Sequence, residues 1–197
     1  MFEVHCDLDI LKLKQQTADD HRNAEGAVAL MHHGLNVAQY IQCLQRIYGL
    51  VAAWEERATD AAPQWLQPAL IARQRKHLLE LDLAWLGVTG KDEGRPTLPE
   101  MSTLPGLLGT MYVMEGSTLG GQFIARHVEA ELHFSEGQGS SYFRGHGNRT
   151  GPLWKEFCGM LTLHIADEQT DHVVISAKAM FSTFGTWMHR KSAMDEI

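Results

Sequence analysis

The sequence predicts an all-α chain folded as a single domain over residues 1–197. Three observations carry this. Apolar residues recur at steps of three and four through most of the chain, and almost no stretch alternates apolar with polar as a half-buried strand does. The periodic stretches are also divided by short loops marked with Gly, Pro and Asn. With 197 residues, 44% hydrophobic and 21% charged, the chain is long enough for one sizeable core.

Ile10, Leu13, Thr17, His21, Ala24 and Val28 follow helical spacing, and Gly34 with Asn36 ends that segment and caps the next. A second helix starts near Val37 and ends near Thr59, with Ile41, Leu44, Tyr48, Val51 and Trp54 as its apolar stripe. Pro63 opens a third, running through Leu70, Leu78, Leu81 and Trp85 to a stop at Gly87, and Lys91 to Pro99 is a polar loop. A glycine-bearing helix follows. Glu136 to Gly151 holds five glycines and is the longest irregular stretch. Two helices close the chain, roughly from Pro152 to Thr170 and from His172 to Trp187, the last turning Ala177, Met180, Phe181, Phe184 and Trp187 inward.

Charge and cysteine usage exclude several classes. A net charge of −7 with no Lys/Arg-rich run argues against a nucleic-acid binder. Cys6, Cys43 and Cys158 lie far apart with no C-x-x-C pair, which indicates neither a disulfide framework nor a zinc site and fits a reducing cytoplasm. The first residues lack an apolar signal core, and no apolar run approaches the ~20 residues that span a bilayer. The partners expected are small molecules and proteins.

The segment Met111 to His127 carries Gly116, Gly120 and Gly121. A glycine inside a helix costs roughly 1 kcal/mol relative to alanine, so three together need a reason beyond local stability. Gly116 and Gly120 share one face with Gly121 beside them, leaving a strip without Cβ atoms on which a flat ligand or another helix could lie. Near the N-terminus, His21 sits four residues after Thr17 and four before Glu25, so the three stack on one helix face. That arrangement suits an imidazole held by a carboxylate, as a metal ligand or as a satisfied core histidine.

The pattern Leu13-Lys14-x-x-Thr17-x-x-x-His21-x-x-x-Glu25, followed about a hundred residues on by Gly116-x-x-x-Gly120-Gly121-Gln122, resembles the haem oxygenase family. The phrase Tyr112-Val-Met-Glu-Gly-Ser-Thr-Leu-Gly-Gly121 is similar to the biliverdin-producing bacterial branch associated with bacteriophytochromes. The resemblance implies a multi-helix bundle with haem between a proximal N-terminal helix and a kinked, glycine-rich distal helix. It implies His21 as proximal iron ligand, Glu25 as its orienting partner, and Lys14 as a propionate contact. Thr17, Gly120 and Gly121 fall among the haem-binding positions, and Gly116, Ser117 and Gly120 are the catalytic ones. The implied reaction is cleavage of haem, both cofactor and substrate, to biliverdin, CO and ferrous iron. O2 is consumed, electrons come from a ferredoxin or flavin reductase, and a bacteriophytochrome is a possible recipient of the bilin.

One departure stands out. Many members of the family carry an aspartate after the first distal glycine, and this chain has Ser117, whose hydroxyl positions water but cannot anchor a network as a carboxylate does. A haem or bilin carrier without turnover is therefore the alternative, and a thiamin-degrading relative is a third, although Cys43 and Cys158 have no base at recognisable spacing. At least one of Arg144, Arg149 and Lys155, in the glycine-rich stretch and just beyond it, is expected to supply a cation to the propionates. His164, Glu168 and His172 are spaced as one helix face, and they and His32-His33 are expected to be solvated.

Overall fold

The computed structural model describes residues 10–88 and 94–190. The described residues contain helices and no strand. Met1 to Asp9, with Cys6, and part of the polar loop after Gly87 lie outside them.

The first predicted helix is two, α1 (Ile10–Gln16) and α2 (Ala18–Ala27). Thr17 separates them at φ −106° and ψ 5°, its hydroxyl donating back to the Leu13 carbonyl at 2.9 Å. Back-bonding by threonine bends helices. The backbone ladder nevertheless continues through the break, because Thr17 N–H donates to Leu13 and His21 N–H to Thr17. α3 (Val37–Ala61) begins at a reciprocal cap in which Asn36 and Gln39 each bond the other's backbone N–H at 3.0 Å.

The third predicted helix is also split, into α4 (Gln67–Ile71) and α5 (Lys76–Trp85). A distant group makes this break affordable. The Glu55 carboxylate on α3 accepts the N–H groups of Arg75 and Lys76 at 2.6 and 3.0 Å, satisfying donors that a helix start leaves unpaired. α6 (Leu104–Leu132) is capped by the Thr103 hydroxyl, and the kink expected at its glycines does not interrupt it.

The glycine-rich stretch is less irregular than expected. It holds α7 (Ser141–Arg144), a 3₁₀ turn at Gly147–Arg149 and the start of α8 (Thr150–His164). Asp82 on α5 holds α7 in place by accepting the N–H groups of Ser141 and Tyr142, both at 2.8 Å. The chain then turns at Ile165 to Gln169, earlier than predicted, into α9 (Thr170–His189).

α6 and α9 form the principal helix pair. They cross at Gly109, where a Cβ would lie 2.5 Å from the Val173 carbonyl oxygen and 2.7 Å from the Ser176 Cβ, so only glycine fits. A contiguous core runs from Leu13 and Leu44 through Leu108, Met111 and Phe157 to Ala177 and Met180. α2 packs chiefly on α9 rather than on α6.

Candidate functional site

Two helical stripes begin buried and end exposed. On α1 and α2, Leu13, Thr17 and Ala24 are at most 6% exposed, yet the His21 side chain on the same stripe is 50% exposed. It makes an edge-on contact with Phe181 on α9, ring centroids 5.6 Å apart. On α6 the stripe of Gly109 and Tyr112 is buried, whereas Gly116 is half-buried and Gly120 and Phe123 are exposed. The His21 imidazole and the Gly116 and Gly120 backbone of α6 are thus both accessible. Glu25 Oε2 stands 3.6 Å from His21 Nδ1, too long for a direct hydrogen bond and suited to one bridging water.

The three glycines separate by role. A Cβ on Gly120 would meet nothing within 4 Å, and one on Gly116 would make ordinary contact with the Trp154 ring at 3.8 Å. Neither is a helix crossing. Gly121 is different, since its Cβ would lie 2.3 Å from the Phe143 carbonyl oxygen of α7. The haem-facing role expected for Gly121 is therefore corrected to a structural one, and Gln122 likewise donates to the Arg144 carbonyl at 3.0 Å.

Thr17 is corrected too. It is 1% exposed, its hydroxyl is bonded to the Leu13 carbonyl, and it lies within hydrogen-bonding reach of the Tyr112 hydroxyl. It ties the proximal segment to α6 rather than lining a ligand site. Tyr112 in turn packs on Trp154, centroids 5.7 Å apart.

Behind Ser117 lies a buried polar cluster that sequence spacing did not reveal. Arg75, 4% exposed, donates through Nη2 to the Met114 carbonyl at 2.8 Å and to Ser117 Oγ at 3.2 Å, and its guanidinium sits 4.9 Å above the Tyr142 ring. Arg73 donates to Glu115 at 3.1 Å and reaches Glu156 at 3.3 Å. Burial pushes the carboxyls of Glu115 and Glu55 up, while the two arginines pull Glu115, and the Arg75 and Lys76 amides pull Glu55, back toward the charged form. His146 is held neutral, lowered to about 4 by burial and by the nearby arginines, with Nε2 buried and unbonded. Arg73-x-Arg75 within a helical stretch was the available sign of this cluster, and polar Gln74, Lys76 and His77 beside it made it read as a solvated face.

Among the expected propionate cations, Arg144 is already committed. It grips Glu129 through Nε at 2.7 Å and Nη2 at 2.6 Å and reaches Glu136 at 2.8 Å. This pairing, with bonds from Ser140 and the Gly137 amide, lowers the Glu129 carboxyl to about 2. Arg144 therefore fastens α7 to α6 rather than standing ready for a ligand. Replacing it with Met is expected to cost about 2 kcal/mol of stability, read by chemical denaturation. Because the Glu129 value lies below its ordinary 4.5, the network stabilises fully above that range and is lost as pH falls toward about 2. Wild-type melting temperature should fall more steeply over this window than that of R144M. Lys14, Arg149 and Lys155 are exposed and form no ion pair among the described residues.

The other histidine features are accounted for. His164, Glu168 and His172 fall on three different elements, which corrects the single face expected, and His164 stacks on Trp65 at 4.0 Å. His33 accepts no core role and pairs with Glu131 at 2.9 Å on the surface. Cys43 is buried, its thiol pushed up to about 12 by burial.

The described residues form an all-helical bundle in which a half-exposed imidazole on α2 and glycines on α6 that no packing neighbour requires are both open to solvent. The family model described as "Heme oxygenase" matches residues 10–190, and the chain belongs to the haem oxygenase family and is an enzyme of that class. A relative named "Heme oxygenase" from Xanthomonas campestris pv. campestris (strain 8004) is 28% identical over 167 residues, 80% of this chain and 93% of that protein. The fold is similar to the NO- and CO-bound haem oxygenase of Neisseria meningitidis, with TM-score 0.72, 21% identity, and 90% and 88% of the two chains covered. It is also similar to haem oxygenase from Leptospira interrogans, with TM-score 0.75, 20% identity, and 90% and 97% covered. Among the described residues, no helix is long and apolar enough to cross a membrane.

Proposed function

We propose that this chain, acting as one domain, binds haem in the cleft between α2 and α6 and cleaves it to biliverdin, CO and ferrous iron. The observation that carries this reading is the pairing of a half-exposed His21 on a buried stripe with Gly116 and Gly120, where no packing neighbour requires glycine. The residues fit a flat, iron-centred ligand: one imidazole for the metal, and a backbone able to approach the opposite face closely.

Haem bound there supplies the redox chemistry, with O2 as the oxidant and electrons from a ferredoxin or flavin reductase. His21 would hold the iron, and Glu25, 3.6 Å from its Nδ1, is placed to orient the imidazole through one bridging water. Gly116 and Gly120 would let the α6 backbone come close to a bound haem and leave space there for a small molecule. Ser117, bonded to Met114 and Arg75, presents an oxygen to water at this face. Lys14 and Arg149 supply cations to the propionates. The setting is cytoplasmic, with no nucleic-acid partner, and the bilin product suits transfer to a bacteriophytochrome.

Turnover tests the reading directly. Hemin-loaded protein given a reductant and air is expected to lose its Soret band as a biliverdin absorption grows. A haem spectrum that persists unchanged under the same conditions overturns the proposal in favour of a carrier.

A further inference from the structure

We propose that a cavity along one face of α3 is a second ligand site, lined by none of the residues assigned to haem, and that it takes a small organic cation of the linear aliphatic diamine class.

The floor of the cavity follows from helical spacing. Tyr48, Ala52, Glu55 and Thr59 recur at steps of three and four on α3, and with neighbouring residues they line a space of about 450 Å³. That volume lies within the range of small-molecule sites. One wall is the turn into α5 at Gln74 and Lys76, and the other is Gly94 with Arg95. Gly49 lets the second wall come close, since a Cβ there would lie 2.9 Å from the Gly94 carbonyl oxygen and 3.0 Å from the Trp187 ring.

Glu55, 8% exposed, sets the chemistry of the floor. Its Oε1 takes both bonds from the Arg75 and Lys76 amides, at 2.6 and 3.0 Å. Oε2 accepts no hydrogen bond among the described residues and is not sealed from solvent, so it opens into the cavity. A carboxylate offers about four acceptor positions, and those on Oε2 are left to a donor from outside the chain. The Arg75 and Lys76 side chains offset the charge of Glu55 through space, without an ion pair to it among the described residues. Burial outweighs them and pushes the carboxyl up.

The rest of the lining selects the charge of the ligand. Arg95 is neutralised by Glu56, and Asp60 forms no ion pair among the described residues, which leaves Glu55 and Asp60 against Lys76 alone. No three His, Cys, Asp or Glu side chains among the described residues converge as metal ligands, so the cation is one held by N–H donation rather than by coordination. An ammonium group at Glu55 Oε2 makes a charge-assisted hydrogen bond. Asp60, five residues on and about 7.5 Å further along the helix axis, receives a second ammonium.

Calorimetry of the full chain with putrescine at low ionic strength is expected to show one binding event with Kd on the order of 0.1 mM, and none with succinate. E55Q keeps an oxygen for the α5 amides but loses the charge, and should weaken putrescine binding about tenfold or more. D60N, at the exposed end, should weaken it about threefold. A52M fills the cavity with a flexible side chain and leaves every carboxylate in place, so it should cost about tenfold as well, with the circular dichroism and cooperative melting of wild type. This variant carries the test if E55Q fails to fold, and it separates a built site from general attraction of a diamine to an acidic protein, which A52M would not alter. Wild-type protein that takes up no putrescine at about 10 mM overturns the proposal. So does binding left unchanged in folded E55Q, in D60N or in A52M, or succinate bound as tightly as putrescine.

Discussion

H21A protein is expected to lose the stoichiometric Soret shift on hemin titration, with affinity falling by at least about 100-fold and turnover abolished, while the fold survives. The separation of binding from stability is what makes the result decisive. His21 is half-exposed and meets Phe181 edge-on, and alanine is a better helix former, so the stability change should stay within about 0.5 kcal/mol. A core histidine satisfied by Glu25 would behave in the opposite way, with hemin binding unaffected and stability reduced. Added imidazole should restore part of the spectrum by entering the space the side chain leaves. E25Q is expected to be milder, about tenfold or less in affinity, because Glu25 is 68% exposed and 3.6 Å away. His32 and His33 are exposed near the end of the same segment, and His33 is engaged with Glu131. A Soret shift that survives H21A intact assigns the iron elsewhere and sinks the proximal role.

The helical class was legible because periodicity is a property of each segment alone, and caps such as Asn36 and Thr103 fall where short-range chemistry puts them. The breaks were not legible. The helix predicted from Pro63 to Gly87 is interrupted because Glu55, some twenty residues away, satisfies the Arg75 and Lys76 amides, and α7 forms because Asp82 does the same for Ser141 and Tyr142. A carboxylate acting as a cap from another helix leaves no local trace. The site divides in the same way. His21 and the open glycines were visible as pattern, since each stands out against its own helix. Arg75 becomes visible only when α5 is laid behind α6, and Arg144 reads as a free cation until Glu129 comes within 2.6 Å. Three glycines that look equivalent in sequence prove to answer to different neighbours.

That difference yields the second large effect. G121A places a methyl carbon 2.3 Å from the Phe143 carbonyl oxygen, a backbone atom that α7 cannot move without disturbing Asp82 and Arg144 as well. The expected cost is about 3 kcal/mol, read as a lower denaturation midpoint with an unchanged slope. G120A meets nothing within 4 Å and replaces glycine with the best helix former, so it should gain up to about 1 kcal/mol. Hemin binding should run the other way. G120F, on the same open face, is expected to fold and yet reduce hemin affinity by about tenfold or more, because a ring fills the space the cleft keeps clear; that loss corresponds to about 1.4 kcal/mol. If G120F binds hemin as tightly as wild type, the bare face of α6 is not the wall against which the ligand lies. If it loses binding while G120A is more stable than wild type, the glycine at 120 is retained against the preference of the helix itself. A residue kept at the expense of its own helix, with no neighbour that needs the room, is explained by what enters the cleft.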